Sequence, residues 1–299
     1  MQRTLKYGTA ILLLLWNGSI LAQDFELFKI QSAYYLQQAI EESSVDGKIG
    51  FWEWSGQLAI PQLLKSKKTI LIHSLGYSNL SVETEGTFMN TVEEATKHYH
   101  TISYNLSLVK IVNPKWRLLF NLSPTLASDF TESLNEEDLL FQASAIAMKT
   151  QSSQFKYGFG LVYTTRFGRQ LILPSGMIQY TTEKMALDFL LPNGLSVLFN
   201  THQAVNFGLE ATLDGGLFNN NSDIQNVNAI IDEAGYSRLN IGPAITIRLK
   251  DALKIHLTGG MAVGRRLDFI DTTEATLDRT PENGPFFRVG FSFSPKGKI

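Results

Sequence analysis

From Gly47 to the C-terminus the chain is a succession of segments of roughly ten residues in which apolar and polar side chains alternate. Successive residues point to opposite faces only in extended backbone, so this period of two excludes a helical fold. Lys115 to Ser128 sets Trp116, Leu118, Phe120, Leu122, Pro124 and Leu126 against Arg117, Leu119, Asn121, Ser123, Thr125 and Ala127. Phe155 to Arg166 opposes Phe155, Tyr157, Phe159 and Leu161 to Lys156, Gly158, Gly160 and Val162, and Val205 to Asp214, Leu239 to Arg248 and Phe287 to Ser294 repeat the scheme. A soluble β-sandwich alternates in the same way. Two features favour a closed membrane barrel instead. Aromatic residues gather near segment ends (Trp52, Trp54, Trp116, Tyr99, Tyr104, Tyr157, Tyr163, Tyr180, Tyr236), as an interfacial girdle would place them. Connections also alternate between short and long.

The N-terminus reads as an export signal. Arg3 and Lys6 precede the apolar run Ala10 to Trp16, and Ile20-Leu21-Ala22 leads to a cleavage site after Ala22. That run is far shorter than the roughly 20 residues of a spanning helix. The domain plan is a signal peptide over 1–22, an N-terminal segment over 23–46 and a transmembrane β-barrel over 47–299. With 26 Lys plus Arg against 28 Asp plus Glu, the formal charge of −2 offers no basic stripe for nucleic acid. The absence of cysteine excludes disulfides, thiolate-held metals, thiol catalysis and a lipidated Cys anchor.

Strand parity sharpens the architecture. Counting back from a last strand that ends in the periplasm, short turns fall at Asp251-Ala252, His202-Gln203, Thr182-Glu183, Gln151 to Gln154 and Asn113-Pro114. Long loops at Asn79 to Lys97, Asp129 to Asp138, Asn219 to Gly235 and Leu267 to Pro285 all fall on the other side, where Gly168-Arg169 and Pro192-Asn193 form low points. Thirteen strands follow from Gly47, an odd number. Both termini on one side require an even one. A further strand near Gln31 to Gln37 gives a single all-β, antiparallel, up-and-down barrel of about 14 strands, with 12 as the alternative.

The run Trp116-Arg117-Leu118 through Leu122-Ser123-Pro124-Thr125-Leu126-Ala127-Ser128-Asp129-Phe130 resembles a family of Gram-negative outer-membrane β-barrel proteins catalogued as a domain of unknown function. Tyr157 to Tyr163, Leu171 to Gly176 and Leu187 to Pro192 extend the resemblance across most of the chain. It implies a barrel in the outer membrane and supplies no substrate or catalytic residue. The chain departs from many such barrels in continuing past its last aromatic, as Ser294 to Ile299.

If the apolar faces meet lipid, the opposite faces line the lumen, where ionisable groups meet water or each other. Glu53, Arg117, Asn121, Asp188, Glu210, Arg238, His256 and Arg288 are the lumen candidates, and inward glycines would widen the path. These residues could line a passive pore or binding channel for a small solute. They could equally form an internal salt-bridge network in a non-conducting structural or surface-binding barrel. A lipid hydrolase is the third reading, with His100 or His256 as base, but no catalytic constellation stands out, since His73 and Ser74 point to opposite faces. His98 and His100 share a face, and Glu132, Glu136, Glu137 and Asp138 form an acidic loop. The histidines could hold a divalent metal but no further ligands can be named, and the loop suits Ca²⁺ but lacks the spacing of a calcium loop, so it reads as a solvated acidic rim and no metal or cofactor is expected. The partners expected are outer-membrane lipids, the barrel-assembly machinery and small solutes.

Overall fold

The computed structural model describes residues 26–41, 47–88, 91–92, 95–201, 204–221, 231–249, 252–271, 273 and 276–295. The export signal lies outside them. Fourteen antiparallel strands close into an up-and-down barrel. They are β1 (Phe28–Ala39), β2 (Gly47–Leu63), β3 (Thr69–Phe88), β4 (Ala95–Ile111), β5 (Trp116–Ser128), β6 (Leu139–Thr150) and β7 (Phe155–Thr164). The second half comprises β8 (Leu171–Thr181), β9 (Met185–Leu190), β10 (Gly194–Asn200), β11 (Val205–Asn219), β12 (Ile231–Arg248), β13 (Leu253–Asp271) and β14 (Gly284–Phe293). The strand expected near Gln31 to Gln37 is β1. It closes the sheet by pairing with β14 from Phe28↔Phe293 to Tyr35↔Phe286 and with β2 on its other side.

Through the lower part of the barrel, nearest the ends of β1 and β14 that carry the termini, apolar residues point outward. Ile172 is 71% exposed, Leu209 62% and Phe159 61%, whereas their neighbours in sequence face the interior. A sandwich would bury those faces. A band of this kind suits hydrocarbon, and among the described residues no helix is long and apolar enough to cross a membrane.

Several of the inward glycines, among them Gly160 and Gly208, do not widen the lumen. A Cβ on Gly160 would stand 1.9 Å from the Ala145 carbonyl oxygen, and one on Gly208 would stand 1.8 Å from that of Val197. At these points the neighbouring strand's backbone fills the space of a side chain, so glycine serves tight curvature of the sheet.

Of the four loops expected to be long, Asn79 to Lys97 is largely strand, and strand takes up part of Asn219 to Gly235 and of Leu267 to Pro285. β3 runs on through Asn79 to Phe88 and β4 begins at Ala95, β12 begins at Ile231, and β13 extends to Asp271. Short strand pieces at Thr91–Val92 and Thr276–Asp278 add to the hairpins. These extensions form an upper storey. Opposite them the wall is low, because β9 and β10 are short and β10 leaves β11 at Gly194↔Thr212, while the β11–β12 ladder continues to Asn219↔Glu233. Above that level β11 meets β5 instead, through a bridge between Asn219 and Ser128. The upper storey is therefore a narrower enclosure, built from β11–β14 and β1–β5 and holding one apolar core of Tyr35, Phe51, Val82, Tyr99, Phe218 and Phe269 with their neighbours. Tyr99 and Tyr236, read from sequence as girdle residues, point into this core and are buried. Trp52, Trp54, Tyr104 and Tyr180 do stand exposed on the exterior.

Candidate lumen binding site

Below the apolar core the interior is polar and continuous. A cavity of about 270 Å³ lies under Leu217, Phe218 and Tyr236. It shares Gln31, Ser55, Ser78, Thr101 and Asp214 with a central cavity of about 670 Å³. This in turn shares Lys29 and Glu210 with a vestibule of about 900 Å³ that reaches the turn residues Ser153 and Gln154.

The ceiling of this space is an ionic network. Arg238, 1% exposed, pairs with Glu53, and its guanidinium lies 3.8 Å over the Tyr35 ring and 5.0 Å from that of Tyr236. Tyr236 donates its hydroxyl hydrogen to Glu53 at 2.9 Å. Arg288 pairs with Asp214 and donates to the Tyr35 hydroxyl at 3.3 Å. Asn240 Nδ2 donates to Asp214 at 2.7 Å and to Tyr35 at 3.2 Å. Arg166, carried by the turn after β7, approaches Asp214 to 4.0 Å and donates to the Leu213 carbonyl at 3.4 Å. Aromatic faces and carboxylates together compensate a cation that water does not reach.

Three of the eight sequence-read candidates, Glu53, Arg238 and Arg288, thus converge on one ceiling. Glu210 sits below it and accepts from Thr258 at 2.9 Å. His256 lines the vestibule, where Nε2 contacts Ser292 at 2.9 Å and Glu26 at 3.6 Å, and Nδ1 contacts Thr246 at 3.2 Å. Asp188 lies in the vestibule and accepts from Gln179 at 3.0 Å. Arg117 is an electrostatic neighbour of Lys156, and Asn121 donates to Ser107 at 2.9 Å on the central wall. Sequence reasoning missed Asp214, Tyr35, Asn240 and Arg166. Asp214 shares the parity of Glu210 and was available from the alternation. Tyr35 and Arg166 were not, because one lies before the first clear alternating segment and the other in a turn.

Two serine–histidine contacts bear on the hydrolase reading. Ser81 Oγ lies 2.9 Å from His98 Nδ1, and Ser292 Oγ lies 2.9 Å from His256 Nε2. Both serines are buried, at 2% and 0% exposure, so an ester carbonyl has no approach to either hydroxyl. His100 accepts from Tyr77 or donates to it at 2.7 Å on the barrel's outer surface, away from the lumen.

The acidic loop between β5 and β6 differs from the solvated rim read from sequence. Glu132, Glu136 and Glu137 are exposed, but Asp138, at the end of a single 3-10 turn (Glu136–Asp138), is fully buried. It accepts from the Asn135 amide at 2.9 Å, from Asn219 Nδ2 at 2.9 Å and from Asn221 Nδ2 at 3.3 Å. Burial pushes its carboxyl up, but the Asn135 amide and the Asn219, Ser128 and Asn221 side chains outweigh this and hold it below the usual carboxylate range. These contacts clasp the tip of β11 to β5. Among the described residues there is no group of three or more His, Cys, Asp or Glu that could hold a metal ion.

The model of the family described as Domain of unknown function (DUF6268) matches residues 65–294. No curated protein matches the chain. Solved structures with related architecture include a TodX monoaromatic hydrocarbon channel mutant, at 7% identity over 89% of this chain and 88% of the other, with a TM-score of 0.42. The NanC porin shows 8% identity over 89% and 99%, with a TM-score of 0.39. LpxR from Salmonella typhimurium shows 8% over 89% and 99%, with a TM-score of 0.35. At these identities the likeness is one of chain architecture.

Proposed function

Taking as premise that this chain belongs to the DUF6268 family, we propose that it is an outer-membrane barrel of a Gram-negative envelope, and that it admits a small hydrophilic solute to a lumen open toward the periplasm and shut at the outer end. The observation that carries this reading is the continuous polar space of about 900, 670 and 270 Å³ that stops beneath an apolar core. An internal salt-bridge network alone needs no such volume. The apolar band meets membrane lipid, the signal over 1–22 directs export, and the barrel-assembly machinery inserts the folded wall. The short turns then face the periplasm and the upper storey projects outward.

In planar bilayers the wild type should give no steady conductance, whereas Phe218→Ala combined with Leu267→Ala, which empties part of the apolar core, should give one. A large steady conductance from the wild type would refute the shut end. Silence of the double variant, in protein whose gel mobility still shifts on boiling, would refute the channel and leave the structural barrel. That second reading draws on the buried Arg238–Glu53 pair, a feature suited to fixing a shape.

A further inference from the structure

The two walls of the lumen differ in kind. On β2–β6 the central cavity is faced by uncharged hydroxyl and amide groups, among them Ser74, Ser103, Asn105, Asn121, Thr125 and Gln142. Several bond to one another, as Asn121 does to Ser107 and Asn105 to Ser103. The hydroxyls of Ser55, Ser74, Ser78 and Thr101 have no protein partner among the described residues and stand on one stretch of wall, with Ser55↔Ser78 and Ser78↔Thr101 paired directly across strands. Such a surface presents donors and acceptors at strand spacing, and a polyhydroxylated molecule can satisfy both.

The facing wall is charged, and its charges are unequally matched. Asp214 is paired with Arg288, while Glu210 and Asp188 keep their charge and accept from the neutral Thr258 and Gln179, and Glu26 lies 3.6 Å from His256. Lys29 has no hydrogen-bond or ion-pair partner among the described residues, although it lines both the central cavity and the vestibule. Lys156 and Arg248, which line the vestibule, have no ion pair within 4.0 Å among the described residues, although Asp188 is an electrostatic neighbour of Lys156. A cation left without a partner in a space walled by protein attracts an anion more strongly than one in open water does.

We infer that the lumen binds a hydroxyl-rich anion, with its hydroxyls on the Ser55–Ser78–Thr101 wall and its charge at Lys29. This rests on the reading of the barrel as a solute channel and names the class of solute. Lys156 and Arg248 make the vestibule an attractive entrance for the same charge.

The full chain, purified in detergent, is titrated by calorimetry with gluconate, glucose 6-phosphate, sorbitol and propionate. Gluconate or glucose 6-phosphate should bind about tenfold more tightly than sorbitol, as one charge-assisted hydrogen bond supplies, and about tenfold more tightly than propionate, as the added hydroxyl bonds to the wall supply. The tighter of the two shows whether the anion is a carboxylate or a phosphate. Lys29→Gln should abolish the advantage of gluconate over sorbitol, and Lys156→Gln, on the β7 side of the vestibule, should reduce it if the first variant fails to fold. Lys149→Gln, whose ammonium lies 5.8 Å from the Trp116 ring centroid on the exterior, should leave every affinity unchanged.

Equal binding of sorbitol and gluconate overturns the anion, and equal binding of propionate and gluconate overturns the hydroxyl wall. In both cases the channel itself stands. Absence of heat with all four probes overturns the inference outright, and the bilayer experiment then decides separately whether the channel survives.

Discussion

Along β3, Leu75 points outward and is exposed, while Leu80 and Val82 point inward and are buried, although no break in the strand separates them. The same reversal follows β4 from Ile102 to Tyr99 and β13 from Met261 to Leu267 and Phe269. On β13 the change coincides with Gly264, at φ +56°, and a register shift against β12. In the lower storey the apolar side faces out and a polar space occupies the interior. In the upper storey Glu83, Ser237, Arg266 and Asp268 face out and the apolar side fills the interior. The medium outside the wall decides which face carries the apolar residues. On the outer-membrane reading proposed above, the wall leaves hydrocarbon for water at this level and adopts the logic of a soluble protein, in which each buried Leu or Phe contributes about 1.5–3 kcal/mol. Closing the outer end of the lumen is a consequence of that change.

Two arginines on one face of β12 give the sharpest contrast. Arg238→Ala strands Glu53 beneath the core and should cost about 3–5 kcal/mol in chemical unfolding of the detergent-held barrel. Arg248→Ala, ten positions lower and exposed in the vestibule, should stay within about 0.5 kcal/mol. Equal effects would mean that the ceiling network does not support the upper storey. The exterior offers the next contrast. Leu209→Arg places a charge on the apolar band and should cost about 2–4 kcal/mol in lipid vesicles. Ser237→Arg, on the outer face of the upper storey, should change stability by less than about 0.5 kcal/mol. If Ser237→Arg proved as costly, the upper storey would belong inside the membrane.

The same contrast explains what could be read from the sequence. The lower strands were legible because their polar face is uncharged or mixed and their apolar face bulky, so Phe155 to Tyr163 or Val205 to Leu213 alternates plainly. Parity then demanded the strand that proved to be β1. The upper extensions alternate too, as in Leu80-Ser81-Val82-Glu83-Thr84, but their polar positions carry the charges and small residues that mark loops, so sequence alone reads them as loops. Tyr99 and Tyr236 were placed in a girdle for the same reason, since an aromatic near a strand end serves an interface or a core according to what lies outside. Within the site, Glu53, Arg238 and Arg288 were found by parity alone. Their convergence was not legible, because it depends on β11 leaving β10 at Thr212 and closing against β5, which no local pattern encodes.

Glycine positions divide by the same criterion of what the wall must do. Gly208→Ala would drive a methyl group into the Val197 carbonyl and should cost about 1–3 kcal/mol. Gly176→Ala, with nothing within 4 Å of its Cβ, should be nearly neutral. Similar costs for the two would show that the curvature of the lower wall relaxes around an added side chain.

The smallest effect belongs to the clasp at the tip of β11, and there pH is the probe. Asp138 is held below the ordinary carboxylate value of 3.8, so its contribution is complete above that value and declines as pH falls through the lower, folded one. The loss should be on the order of 1 kcal/mol and local. Hydrogen exchange at Leu217 to Asn221 should therefore accelerate on acidification below about pH 4, while exchange in the lower part of β11 stays slow. Asp138→Asn turns an acceptor of three amides into a group that offers donors of its own, so the tip should exchange fast at neutral pH and lose most of its acid response. If the variant retained the wild-type acid response, another carboxylate would be holding the tip, and Asp129, which accepts from the Asn221 amide at 3.2 Å, is the next residue to replace.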